Sequence, residues 1–136
     1  MVNLVAPGEL LARYITFSKY IRKDQTLRQD AFIPPLKFPL ELSVTRHLNL
    51  SENDIWDIGK TVAAGKECNL HGRADVEASH VTAQSLNVVP HPVPNNPNHA
   101  NIVGWPLDKD VRKMRALEIA RVARFVANPE AGAQNP

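Results

Sequence analysis

The chain is poor in the residues that give the commonest sites away. It has one cysteine, Cys68, in 136 residues, so no intrachain disulfide can form and no Cys-x-x-Cys metal knuckle occurs. Six glycines are scattered along it, and neither Gly-x-x-x-x-Gly-Lys-Ser/Thr nor Gly-x-Gly-x-x-Gly is present, which removes the glycine-rich phosphate loops. No apolar run approaches the roughly 20 residues that span a bilayer, so no membrane partner is expected. Met1 to Ala6 is short and lacks the basic start of a secretory signal. With a lone cysteine, that points to the reducing cytoplasm. Charge of one sign is missing too: 16 Lys and Arg stand against 14 Asp and Glu, a net +2.

What is present belongs to an ordinary globular protein. A hydrophobic share of 43% is too high for disorder and enough for a core at this length. Eleven prolines, about twice the usual share, imply stiff extended connections. Charge is distributed unevenly. Residues 13–30 and 108–124 are basic, while 50–80 leans acidic through Glu52, Asp54, Asp57, Glu67, Asp75 and Glu77. Two basic ends can bind a polyanion. Packing of those ends against the acidic centre is the preferred reading, so nucleic acid is an allowed partner and not the favoured one.

Periodicity gives an α+β fold, a small mostly antiparallel sheet packed by two main helices. Strands are expected at about 40–46, 85–89 and 100–105. Leu40, Leu42 and Val44 alternate with Glu41, Ser43 and Thr45, which marks the first as buried on one face. Ser51-Glu52-Asn53-Asp54 reads as a capping box opening a helix over 51–65, with Ile55, Ile58, Gly59, Val62 and Ala63 on one side. Asp108 caps a second helix, expected to run to about Val126. That helix carries two apolar stripes, Ala116-Ile119-Ala120-Ala123-Val126 and Val111-Met114-Val122-Phe125. It is therefore either buried between layers or offers its second stripe, over 108–126, to another subunit. The N-terminal segment fits a short helix over 9–14 or a strand over 13–17 equally well. Residues 18–30 read as a solvated basic loop, 67–76 as a connection, and 128–136 as a flexible tail behind a single domain over 1–127.

The chemistry is thin. Cys68 and His71 form a Cys-x-x-His pair, too little for a zinc site, and no metal or other cofactor is expected. His80-Val81-Thr82-Ala83 resembles the His-apolar-Thr-apolar tetrapeptide of the two-histidine phosphoesterases, but the second copy fails. His99-Ala100-Asn101-Ile102 and His47-Leu48-Asn49-Leu50 both have Asn where Ser or Thr is required. The richest stretch is 90–106, which holds five prolines, two histidines and Trp105. Its Asn95, Asn96, Asn98 and Asn101 supply amide donors and acceptors beside His91 and His99, on a loop whose prolines lower the entropic cost of binding. Trp105 offers a flat apolar surface, and Arg73 and Asp75 adjoin the loop if their segment pairs with 100–104.

His71-Gly72-Arg73-Ala74-Asp75-Val76 and Asn95 through Pro106 resemble segments of an uncharacterised bacterial protein family. The likeness covers residues 10–125. It implies a bacterial source and carries over no activity and no catalytic residue. The function expected from the residues is that of a small binding or accessory protein whose contact surface is the 90–106 loop. Its site residues would be Arg73, Asp75, His91, Asn95, Asn96, His99, Asn101 and Trp105, and its partner a protein or a small polar ligand. The rival is a small hydrolase or phosphoesterase using His99 or His80 as acid–base.

Overall fold

A computed structural model describes residues 4–130. Six strands form one sheet: β1 Leu10–Ile15, β2 Leu42–Arg46, β3 Gly72–Glu77, β4 Asn87–Pro90, β5 His99–Val103 and β6 Arg124–Ala127. Their order is β4-β5-β2-β1-β3-β6, and every pairing is antiparallel. Among the described residues three α-helices accompany them, α1 Glu52–Gly65, α2 Ala78–Thr82 and α3 Lys109–Val122. The α+β class holds, on a sheet twice as wide as the three strands legible from periodicity.

The two faces of the sheet are unlike. On one, Leu11 and Ile15 of β1, Leu42 and Val44 of β2, Ala74 and Val76 of β3, and Ala100 and Ile102 of β5 form a continuous apolar layer. Ala116, Ile119 and Ala120 of α3 cover it, together with Ala78 and Val81 of α2 and a 3-10 turn at Gln29–Phe32. Phe32 and Leu27 are fully buried there, so the 18–30 segment is not simply a solvated loop. On the other face α1 is the one helix among the described residues. Ile55, Trp56 and Ala63 pack on Ala12 and Tyr14 of β1 and on Leu70. The approach is close: a Cβ at Gly59 would lie 2.6 Å from the Tyr14 ring, so the helix can seat here only without a side chain at that position. Ser51 accepts from Asp54 N at 3.1 Å and Asp54 reaches back to Ser51 N at 3.1 Å, the expected capping box.

Width decides what α1 leaves open. Six strands at about 4.8 Å spacing span roughly 24 Å, and a helix with its side chains covers about 10 Å. One helix over β1 and β3 therefore leaves the α1 side of β2, β5 and β4 without a helix, and loop residues such as Asn96 and Glu41 reach over part of it. The residues there are mostly polar, Ser43, Thr45, His99, Asn101 and Asn87, with Val103 and Val89 toward the edge.

Several expectations are corrected. The last helix stops at Val122, not near Val126: Ala123 turns extended at φ −73, ψ 145, and Arg124–Ala127 pairs with β3 as an edge strand. Phe125 thus belongs to the sheet, while Val111, Met114 and Val122 of the second stripe are exposed. The 67–76 connection contains β3, next to the centre of the sheet. The N-terminal ambiguity resolves to a strand. Asn128, expected in the tail, is instead buried and donates from its side chain to Leu70 O at 2.9 Å and from its backbone to His71 O at 3.0 Å. Residues 131–136, the rest of the expected tail, lie outside the described residues. No helix among those described is long and apolar enough to cross a membrane.

Candidate functional site

The β4–β5 connection is stiff for reasons beyond proline. Val93 and Asn96 exchange backbone hydrogen bonds at 3.0 and 3.1 Å. The Asn96 amide donates to Thr45 Oγ1 at 2.9 Å, and its oxygen accepts from Asn98 N at 3.0 Å. Asn98 donates to two carbonyls of the segment after β2, Arg46 O at 2.9 Å and Leu48 O at 2.7 Å. Two asparagines thus spend their amides fastening the loop to the edge of β2. Asn95 stays exposed at the tip, with no side-chain bond among the described residues.

This fastening brings His91 and His99 together. Their Nδ1 atoms are 3.1 Å apart, their ring centroids 5.2 Å, and His99 Nδ1 lies 2.8 Å from His91 O. A nitrogen that close to a carbonyl is a donor, so His99 carries its proton on Nδ1 and its Nε2 is the other functional edge. Asn101, one pleat further on the same face, donates to Glu41 at 3.3 Å.

Two cavities meet at this point and share Ser43 and His99. One, of about 140 Å³, is lined by Arg13, Tyr14, Ser43, Val44, Thr45, Val62, Lys66, Asn96 and His99. The other, of about 270 Å³, lies between His91, His99, Asn101 and Ser43 on one side and Lys37, Phe38, Pro39 and Glu41 on the other. The first has a clear structural origin. β1 and β2 pair only at Leu11↔Arg46 and Ala12↔Thr45 and then part. The Arg13 side chain bridges the gap, donating to Ser43 O at 3.1 Å and Ala31 O at 3.0 Å.

Arg73 and Asp75 lie elsewhere. Across the sheet, His99 pairs with Thr45, Thr45 with Ala12 and Ala12 with Asp75. Asp75 is therefore three strands, about 14 Å, from His99. The expectation that Arg73 and Asp75 adjoin the loop does not hold, because β3 pairs with β1 and β6 and not with β5. They form a network under the start of α1. Arg73 Nε donates to both Asp75 oxygens at 3.0 and 3.2 Å, and its terminal nitrogens to both Glu52 oxygens at 2.8 and 2.9 Å. Its guanidinium stacks 4.8 Å from the Trp56 ring centre. His47 Nε2 meets Asp75 Oδ1 at 2.9 Å. From sequence His47 is legible only as the end of a strand, and nothing in the chain links it to Asp75. It lines neither of the two cavities.

Trp105 is not a contact surface. It is buried in the core of the opposite face and donates from its indole to Ile102 O at 2.9 Å. The remaining histidines are dispersed. His80 is exposed, 4.0 Å from Glu77, and His71 precedes β3. No group of three or more metal-ligating side chains occurs among the described residues.

The network makes stability depend on acid. Burial raises the Asp75 carboxyl, but hydrogen bonds from His47 and Arg73 outweigh it and hold it below the usual carboxylate range. The Arg73 hydrogen bonds hold Glu52 low as well. Carboxylates depressed in the folded state contribute their full stability above about pH 4, and that contribution is lost as pH falls through the folded values. Thermal unfolding followed from pH 7 to about pH 2.5 should show the midpoint falling below about pH 4. Asp75→Asn should flatten that fall, and an unchanged slope in this variant would rule the network out as its source.

Compared with protein-family models, with curated proteins and with solved structures, the chain has no match.

Proposed function

We propose that this is a small binding or accessory protein of the cytoplasm that holds a small polar ligand on the helix-free half of its sheet, beside α1. The observation that carries the reading is the meeting of two cavities at Ser43 and His99, under a loop fixed by Asn96 and Asn98. A concave, largely pre-formed surface with a few oriented polar groups is the usual form of a small-molecule site. Ser43, His99 and Asn101 present those groups, and the stiff loop lowers the ordering cost of binding. Cytoplasmic placement draws support from the single cysteine.

Acid–base catalysis by His99 or His80 has less behind it. Among the described residues no carboxylate hydrogen-bonds either imidazole, and His80 is exposed on a short helix and lines neither cavity.

A mixed library of polar metabolites, screened by amide chemical shifts, tests the proposal. Compounds that bind should move Ser43, Thr45, His99 and Asn101 together. His99→Ala should weaken them about tenfold, the worth of one good hydrogen bond, without lowering the unfolding midpoint appreciably. Compounds that bind elsewhere, or that bind His99→Ala equally well, would refute the site.

A further inference from the structure

Resting on that reading, we infer that the ligand is an oxyanion, a small molecule whose phosphate or carboxylate group docks between Arg13 and Lys66 in the smaller cavity. The lining of that cavity holds two cations and no carboxylate. The larger cavity, by contrast, has Glu41 as well as Lys37 in its lining. Proteins rarely hold a half-buried guanidinium such as that of Arg13 without a counter-charge, because it gives up water there, and the exposed Lys66 adds a second positive charge at the rim.

Arg13 is half-buried, and its two acceptors are backbone carbonyls, neither of which carries a charge. The Lys66 ammonium, at the rim just past α1, has no hydrogen-bond or ion-pair partner among the described residues. Both groups feel the imbalance. Burial pulls the Arg13 guanidinium down to about 10, and burial together with the Arg13 charge lowers Lys66. Both remain cationic at neutral pH. A bound anion relieves the repulsion between them and supplies acceptors they lack.

The neutral groups fit the same ligand. The Ser43 hydroxyl is exposed to the cavity with no partner among the described residues, so its proton is available to an anion. Thr45 is buried, accepts from Asn96 and gives its own proton to Tyr14, so it closes the cavity wall and leaves the donation to Ser43. A cavity of about 140 Å³ matches one phosphate or carboxylate group, with the rest of the molecule extending past His99 into the larger cavity.

The test is an amide-shift titration of the full chain with four probes at equal ionic strength: inorganic phosphate, succinate, glycerol and choline. Saturable movement of Ser43, Lys66 and His99 with phosphate or succinate, and none with glycerol or choline, is the expected result. The anion that binds more tightly identifies the group. Lys66→Gln, at an exposed position that leaves the core intact, should weaken the anion about tenfold. Arg13→Gln should weaken it at least as much, provided the variant retains its folded spectrum. An affinity unchanged in Lys66→Gln overturns the inference. So does binding of glycerol, choline or an uncharged library compound at these amides while both anions fail, although ligand binding in the groove then survives. Failure of every probe and every library compound overturns both.

Discussion

Replacing Arg73 with methionine should lower the free energy of unfolding by about 3 to 5 kcal/mol, the range for removing one partner of a buried ion pair. At this chain length that corresponds to a fall of about 10 to 17 °C in the unfolding midpoint. The two halves of the network do not share this loss equally. The Glu52 side chain is 67% exposed, so water and salt screen its half, and such pairs contribute about 1 kcal/mol or less. The Asp75 side chain is 12% exposed and the Arg73 side chain 4%. Most of the cost therefore comes from leaving the Asp75 carboxylate without its guanidinium, with only His47 in reach. Thermal and denaturant unfolding at neutral pH measure it. A loss under about 1 kcal/mol would mean the whole network behaves as a surface pair. Adding Asp75→Leu to the Arg73 variant should restore a large part of the stability, because no unpaired charge then remains under α1.

Gly72→Ala should be nearly as damaging, by overpacking. A Cβ at Gly72 would lie 2.4 Å from Val126 O and 2.6 Å from the Phe125 ring. The ring can turn, but the carbonyl belongs to the strand paired with β3 and cannot retreat without loosening that ladder. The expected loss is about 3 kcal/mol, at the upper end for forcing a methyl into a packed site. The damage should be local. Hydrogen exchange should show β6 and the Asn128 amide losing protection while β1, β2 and β5 keep theirs. An even loss over all strands would contradict this account. Gly65→Ala is the control: nothing lies within 4 Å of a Cβ there, and its effect should stay within about 0.5 kcal/mol.

The legible parts of the fold are those written locally. Ser51 and Asp54 specify a helix start by chemistry within four residues, and Ser43 and Thr45 alternate with apolar neighbours, so both can be read directly. β3 cannot. Gly72-Arg73-Ala74-Asp75-Val76 carries two charges on one face, which reads as solvent exposure unless His47, Glu52 and Trp56 are known to meet them. β6 is hidden because Arg124–Ala127 continues the apolar spacing of α3 without a glycine or proline to mark the break. The candidate site is half visible. His91, Asn96, His99 and Asn101 do line the two cavities, since they lie on one hairpin. Arg13, Ser43 and Lys66 complete the walls from three distant segments, and no pattern in the chain brings those together. Trp105 is misread from sequence because Gly104, at φ 91, breaks the alternation just after β5 and sends the indole to the face opposite His99 and Asn101.

The strand order bears on how the chain is made. Of the six described strands β1 is made before the others and ends near the middle of the sheet, and β2 and β3 follow in sequence on its two sides. The β4–β5 hairpin then docks as a unit on β2, and β6 closes the far edge. A core of three strands can form before the last third of the chain emerges, with its apolar face waiting for α3. Growth from the centre outward avoids threading a late strand between two early ones, a step that would expose paired edges to neighbouring chains.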